Sequence, residues 1–385
     1  MHFHAPCKIL ISLYALFMNK KVITFLSILS LSLPLVPASA AVKAGSVCKK
    51  AGITSVAASK TYTCIKSGKK LVWDKGVTVS IPSTTLTPTS FQDLLERYEG
   101  IPSKVWNESQ KLVTSGRVST KFEINIGPNT KFPLDDRSLQ SQLENISKLW
   151  SQQSQPNTTK VFLFSFLDLA WAQQKNKDLN GSWFTPEGLA MNCSSSSSCG
   201  AFGGTYMGTG QLFIGVPTNY YNKGRSNLGH EYTHAVQYDQ FKSQPTVNGY
   251  SLLPCWFSEG QPQVPGSTLG FDSVEEYKQS RLIWFRNPAG ALGDYSPESI
   301  LKFYSLAGIS KFGNCDPKVR SRIYDVGYMT VEALAAIKGV NATMDVVVGV
   351  SQGLSFEDSF KKVYEISWSE AAPILAKVVS AEFSR

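Results

Sequence analysis

Apolar residues recur at helical spacing over 91–98 and 138–150, and again over 227–242, 273–286, 296–306, 320–338, 354–364 and 368–383. The C-terminal third therefore reads as helix after helix. Extended patterns fall earlier in the chain. Residues 60–66 and 70–73 alternate as short strands, whereas Lys160-Val-Phe-Leu-Phe-Ser165 is a continuous apolar run that reads as a buried strand leading into a helix at 168–173. Gln211-Leu-Phe-Ile-Gly-Val-Pro217 reads as a strand ended by proline, and the Ser- and Gly-rich stretch 193–204 before it as a loop. Strands early and helices late predict an α+β architecture.

The start of the 385-residue chain carries a different signal. Lys20-Lys21, an apolar run over 22–33 and Ala38-Ser39-Ala40 have the layout of a secretory leader, so 1–40 is read as a signal peptide cleaved after Ala40. No later stretch approaches the ~20 apolar residues of a spanning helix, so no transmembrane helix is expected after cleavage. Residues 76–90 are uncharged and rich in Ser, Thr and Pro, which predicts a linker between a small module at 41–75 and one large domain at 91–385.

Charge follows this division. The net charge is +9, and loss of the leader removes three Lys and no acid, leaving +6. Residues 41–85 hold eight Lys against Asp74 alone, so the remainder from 86 onward is close to neutral. A Lys-rich exported module suits an anionic cell-wall polymer or surface, and no nucleic-acid partner is expected. Beyond the leader the cysteines number six (Cys48, Cys64, Cys193, Cys199, Cys255 and Cys315), an even count suited to an oxidising compartment. Six cysteines allow 15 connectivities. Proximity favours Cys48–Cys64 and Cys193–Cys199, which leaves Cys255–Cys315. The pattern Cys48-Lys-Lys-Ala-Gly52, Tyr62-Thr-Cys64 and Ser67-Gly-Lys-Lys-Leu-Val-Trp73 resembles a two-cysteine module near the N-termini of exported actinobacterial proteins.

Histidine is scarce. Of four in the chain, His2 and His4 lie in the leader, so any imidazole chemistry in the mature protein rests on His230 and His234. Both belong to Gly229-His-Glu-Tyr-Thr-His-Ala235, an H-E-x-x-H pattern on an expected helix. Residues four apart share a helical face, so both imidazoles can reach one tetrahedral ion, with Glu231 beside it as a base. With no third histidine, the remaining protein ligand must be a carboxylate. Glu259, in Cys255-Trp-Phe-Ser-Glu-Gly260, is the leading candidate, with Asp239, Asp272, Glu275 and Glu276 as alternatives.

The pair His230-Glu-Tyr-Thr-His234 and Trp256-Phe-Ser-Glu-Gly260 resembles the gluzincin metallopeptidases, in particular the peptidase MA-like proteins. That resemblance implies a zincin-like domain: a small mixed sheet with an edge strand, an active-site helix and a helical C-terminal part. It implies zinc held by His230, His234 and Glu259, with Glu231 as general base in the attack of zinc-bound water on a peptide bond. A weaker match at Tyr324-Asp-Val-Gly327 implies that Tyr324 stabilises the oxyanion, with Tyr328 as the alternative. It also implies that 211–217 is the edge strand along which an extended peptide or protein substrate lies, with a plain structural strand as the alternative. The chain departs from the family at Gln261-Pro-Gln-Val-Pro265, where two prolines predict interruption of the helix carrying Glu259. The expected function is a secreted or wall-associated zinc peptidase. The alternatives are a catalytically silent surface-binding protein and a zinc amidase or endopeptidase acting on peptidoglycan.

Overall fold

The computed structural model describes residues 43–57, 60–78, 86–131, 136–179, 184–216, 221–244, 249–285, 294–309, 315–316, 319 and 322–384. The leader lies outside them, as does 79–85 of the expected linker. Two compact units divide the chain, Met1–Pro82 and Ser83–Arg385.

In the smaller unit β1 (Thr54–Ala57), β2 (Lys60–Ser67), β3 (Lys70–Trp73) and β4 (Val77–Thr78) form an antiparallel sheet with β2 as the common partner. Val77 and Thr78 thus belong to the module and not to a linker. Its core is Cys48, Tyr62, Cys64 and Trp73. So small a core needs help, and the Cys48–Cys64 disulfide, closing a separation of 16 residues, restricts the unfolded chain by about 3 kcal/mol.

In the larger unit the stretch expected as a helix at 91–98 is a run of turns, tied by Asp93 accepting from the Thr89 and Ser90 amides. Helix α1 (Ile101–Ser115) follows, with Pro102 in its first turn, where a missing N–H costs nothing. Next come β5 (Lys121–Ile126), α2 (Asp136–Leu149), β6 (Thr158–Phe164), α3 (Leu169–Lys177) and α4 (Pro186–Asn192). The presumed loop 193–204 is structured as a disulfide-linked hairpin, β7 (Cys193–Ser195) and β8 (Ser198–Cys199), and the start of β9 (Ala201–Tyr206). Strand β10 (Thr209–Gly215) leads to α5 (Tyr221–Gln240).

The main sheet has the order β5-β6-β10-β9, with β9 antiparallel and the other three parallel. Strand β10 is therefore internal, which corrects the expectation that 211–217 is an edge. Its apolar residues point both ways, as a strand covered on two faces requires. Leu212 and Ile214, with Val161 and Leu163, join Leu228, Tyr232, Ala235 and Val236 of α5 in one core. Phe213, with Phe162 and Phe164, joins Ala172, Leu189 and the Cys193–Cys199 hairpin in another. The edges are β5 and β9, and the Gly203 and Gly204 of β9 hide it from a propensity-based reading.

The remaining helices are α6 (Cys255–Gly270), α7 (Val274–Phe285), α8 (Pro297–Leu306), α9 (Val326–Lys338), α10 (Val340–Ser351), α11 (Phe356–Tyr364) and α12 (Trp368–Phe383). Helix α6 packs against both α5 and α9. It does not break at the prolines: Pro262 and Pro265 both lie inside it, contrary to the sequence expectation. Where it crosses α5 the backbones touch, since a Cβ on Gly229 would stand 2.9 Å from Cα of Gly266. At the α9 crossing a Cβ on Gly260 would stand 2.4 Å from the Gly327 carbonyl carbon. The Cys255–Cys315 disulfide anchors the start of α6. All three disulfides join the cysteines expected from sequence and are compatible with an extracellular setting. Among the described residues no single helix is long and apolar enough to cross a membrane.

Candidate metal centre

Helix α5 presents His230 and His234 one turn apart, and its other face is held rigidly. Tyr232 donates to Gln155 at 2.6 Å, the Trp150 indole donates to Thr233 at 3.1 Å, and Thr205 of β9 donates to the Ala235 carbonyl at 2.7 Å. Helix α6 brings Glu259 to the exposed side of that pair. The two Nε2 atoms stand 3.0 Å apart, and Glu259 Oε2 lies 3.5 Å from that of His230 and 3.4 Å from that of His234.

This triangle is the test of whether a metal fits. Ligand atoms around a tetrahedral ion with bonds of about 2.0–2.1 Å stand about 3.3–3.4 Å apart, and the three separations bracket that value. Glu231 completes the cluster: His230, Glu231 and His234 form a group that could hold a metal ion, with ligand atoms within 4.8 Å of one another. Glu259 Oε2 also lies within 3.5 Å of both imidazole Nε2 atoms, so two carboxylates face the histidine pair.

The electrostatics point the same way. Burial opposes ionisation of Glu259, but His234 and His230 hold its carboxyl well below the usual carboxylate range. Burial pushes the Glu231 carboxyl up, Glu259 adds to the shift, and the imidazoles oppose it. Burial also works against a charge on His234, and Glu259 and Glu231 outweigh it, raising its pKa. The buried Glu231 and the partly buried Glu259 face two imidazoles and form a pocket that favours positive charge.

Three of the four alternative carboxylates are engaged elsewhere, and Glu275 is exposed. Asp239 accepts from Ser154 at 2.6 Å and Lys242 at 3.0 Å. Asp272 pairs with Arg225 at 2.5 and 3.1 Å, while Glu275 and Glu276 sit in the first turn of α7, where Glu276 accepts from the Asp272 amide. Of the two tyrosines, Tyr324 lies beside the cluster, its ring 6.3 Å from that of His230. Tyr328 is fully buried and donates to Tyr277 at 3.3 Å, which commits it to a separate network.

Sequence reasoning missed the residues around the ligands. His234 Nδ1 meets Gln237 Oε1 at 2.8 Å, and Gln237 meets Gln261 at 2.7 Å. A glutamine three residues beyond the second histidine was the available signal. His230 Nδ1, by contrast, is buried with no hydrogen-bond partner among the described residues. On the sheet side, Gly203 of β9 abuts the Glu231 backbone, and a Cβ there would stand 2.0 Å from the Glu231 carbonyl oxygen. The chain matches no family model, no curated protein and no solved structure.

Proposed function

We propose that this chain is an exported zinc peptidase of gluzincin type that hydrolyses peptide bonds. The observation that carries the reading is the donor triangle of His230, His234 and Glu259, with Glu231 buried at its side. Zinc, when bound there, supplies Lewis acidity and brings the pKa of a water ligand to about 7. The imidazoles offer neutral Nε2 lone pairs and Glu259 offers the anion. Glu231, its affinity for a proton raised by burial, takes the proton from the attacking water and passes it to the leaving amine. Tyr324 is assigned the oxyanion, on the strength of its place beside His230. Strand β9, paired on one side only among the described residues, offers N–H and C=O groups to an extended peptide next to Glu231.

The test is Glu231→Gln in the zinc-loaded protein, assayed on a mixed peptide library with peptidoglycan fragments in parallel. Peptide cleavage that falls 10²–10⁴-fold with zinc content unchanged is expected. Undiminished cleavage refutes the reading, and cleavage of wall fragments alone moves the substrate to peptidoglycan amides.

Lys43, Lys49, Lys50, Lys66, Lys69, Lys70 and Lys75 of the small unit are all exposed, which supports a second role in holding the protein to an anionic wall polymer. Deleting 41–85 is expected to abolish wall retention and leave hydrolysis intact.

A further inference from the structure

We propose that Gln237, held in one orientation by two acceptors on α6 that include the Ser258 carbonyl freed by Pro262, sets the tautomer of the ligand His234. The inference rests on the reading of this cluster as a metal centre and concerns how the chain prepares it.

The argument is one of hydrogen-bond polarity. In α6 the Ser258 carbonyl faces position 262, where an ordinary residue would donate its amide; Pro262 has none to give. The Gln237 side-chain nitrogen donates into that carbonyl instead, at 3.1 Å. A carbonyl can only accept, so this contact fixes which end of the Gln237 amide faces α6. Turned over, the amide would set two acceptors against each other. Its Oε1 must therefore face His234 Nδ1, at 2.8 Å, and Nδ1 must carry the hydrogen. In a neutral imidazole that leaves Nε2 with a bare lone pair, and Nε2 is the atom at the donor triangle.

A second chain locks the same polarity. Thr343 spends its hydroxyl hydrogen on the Val340 carbonyl at 2.7 Å, so it must accept from Gln261 Nε2 at 2.9 Å. Gln261 then presents Oε1 to the other Gln237 hydrogen, at 2.7 Å. Gln237, Gln261 and Thr343 are all buried, so water does not compete for these groups. Two backbone carbonyls thus dictate which ring nitrogen carries the hydrogen, Ser258 through Gln237 alone and Val340 through Thr343, Gln261 and Gln237. Pro262 and Gln237 are positioning residues: neither touches substrate.

The experiment uses the full chain with Pro262→Ala, and Gln237→Leu as the second variant. In the alanine variant an intrahelical amide competes for the Ser258 carbonyl and the Gln261 contact alone orients Gln237, whereas in the leucine variant His234 Nδ1 loses its acceptor altogether. Zinc affinity in Gln237→Leu, read by chelator competition, is expected to fall 10–100-fold, the usual effect of losing support behind a metal ligand. Nitrogen NMR of the metal-free protein at alkaline pH is expected to show His234 protonated at Nδ1 in the parent, a mixture of tautomers in Gln237→Leu, and at most a small admixture in Pro262→Ala. The unfolding midpoint of metal-free Pro262→Ala is expected to hold or rise, because a proline inside a helix is replaced by the best helix former. Parent-like affinity and tautomer in Gln237→Leu overturn the proposal while the metal centre stands. A loss of affinity that tracks a lowered midpoint also overturns it, by assigning the effect to packing. A parent that binds no zinc refutes the metal centre itself, and the tautomer measurement still decides the polarity argument.

Discussion

Replacing Gly203 with alanine tests the contact between the edge strand and the residue proposed as the base. A Cβ at this position would stand 2.0 Å from the Glu231 carbonyl oxygen and 2.7 Å from its Cα, where ordinary contact begins at 3.4 Å. The obstacle is helix backbone, so β9 must retreat by about 1.4 Å, the difference between 3.4 and 2.0 Å. Overpacking of this kind costs roughly 1–3 kcal/mol. The retreat also stretches the bond from Thr205 to the Ala235 carbonyl, now 2.7 Å, for about 1 kcal/mol more. A total of about 2–4 kcal/mol lowers the melting midpoint by roughly 4–8 °C in a unit of this size. If the substrate lies along β9, a shift of about 1 Å misplaces the scissile bond and lowers kcat/KM by about 10²-fold. Zinc affinity should change little, because the donors sit on α5 and α6. Gly204→Ala is the internal control: its nearest neighbour is the Tyr238 ring at 3.4 Å, so near-parental behaviour is expected. Calorimetry, chelator competition and peptide hydrolysis on both variants check the three statements. A Gly203→Ala protein with parental midpoint and parental hydrolysis refutes both the contact and the substrate path.

Two predictions concern stability away from the centre. Arg281 is buried with Glu332 at 2.6 Å and Glu382 at 3.1 Å, and Arg281→Met leaves two buried carboxylates without their cation. A loss of about 3–5 kcal/mol in urea unfolding is expected, largely restored by adding Glu332→Gln and Glu382→Gln, and a loss below about 1 kcal/mol contradicts this. At Asp93, burial opposes ionisation, but the Thr89 and Ser90 donors and Arg97 lower its pKa from 3.8 to about 2. Its folded pKa lies below the unfolded one, so its contribution is complete above about pH 4 and is lost as pH falls through about 2. After allowance for solvent screening it amounts to about 1–2 kcal/mol. Asp93→Asn should show that deficit at pH 7 and lose it in acid; a pH-independent deficit refutes the linkage.

The parts of the centre that obey short-range geometry were legible in the sequence. The H-E-x-x-H spacing needs only one turn of helix, and the scarcity of histidine points to a carboxylate, with Glu259 first among five candidates. What could not be read depends on partners distant in sequence. Strand β9 was taken for a loop because glycine is a poor strand former, yet Gly203 is required by the approach of the Glu231 backbone. Strand β10 was placed at the edge because its position before the α5 helix suggested it, although its two-sided apolar pattern already indicated an interior strand. The Gln237 contact was hidden because its meaning depends on a carbonyl across the α5–α6 interface.

Helix α6 shows why the local rules failed where the site is built. Two interior prolines at about 3 kcal/mol and two interior glycines at about 1 put its intrinsic cost near 8 kcal/mol relative to alanine. Isolated, such a segment does not form a helix. In the fold, every residue of α6 except Glu259 and Gln263 is buried. Burying Trp256, Phe257, Val264 and Leu269 alone is worth about 6–12 kcal/mol, enough to offset that cost. The same residues that weaken the helix serve the centre. Gly260 and Gly266 let α6 touch α9 and α5, so that a glutamate and two histidines from separate helices converge within 3.5 Å, and Pro262 releases the carbonyl that Gln237 uses. Substituting good helix formers along α6 would raise its propensity and push its neighbours apart, so tertiary packing and not local preference must hold Glu259 in place.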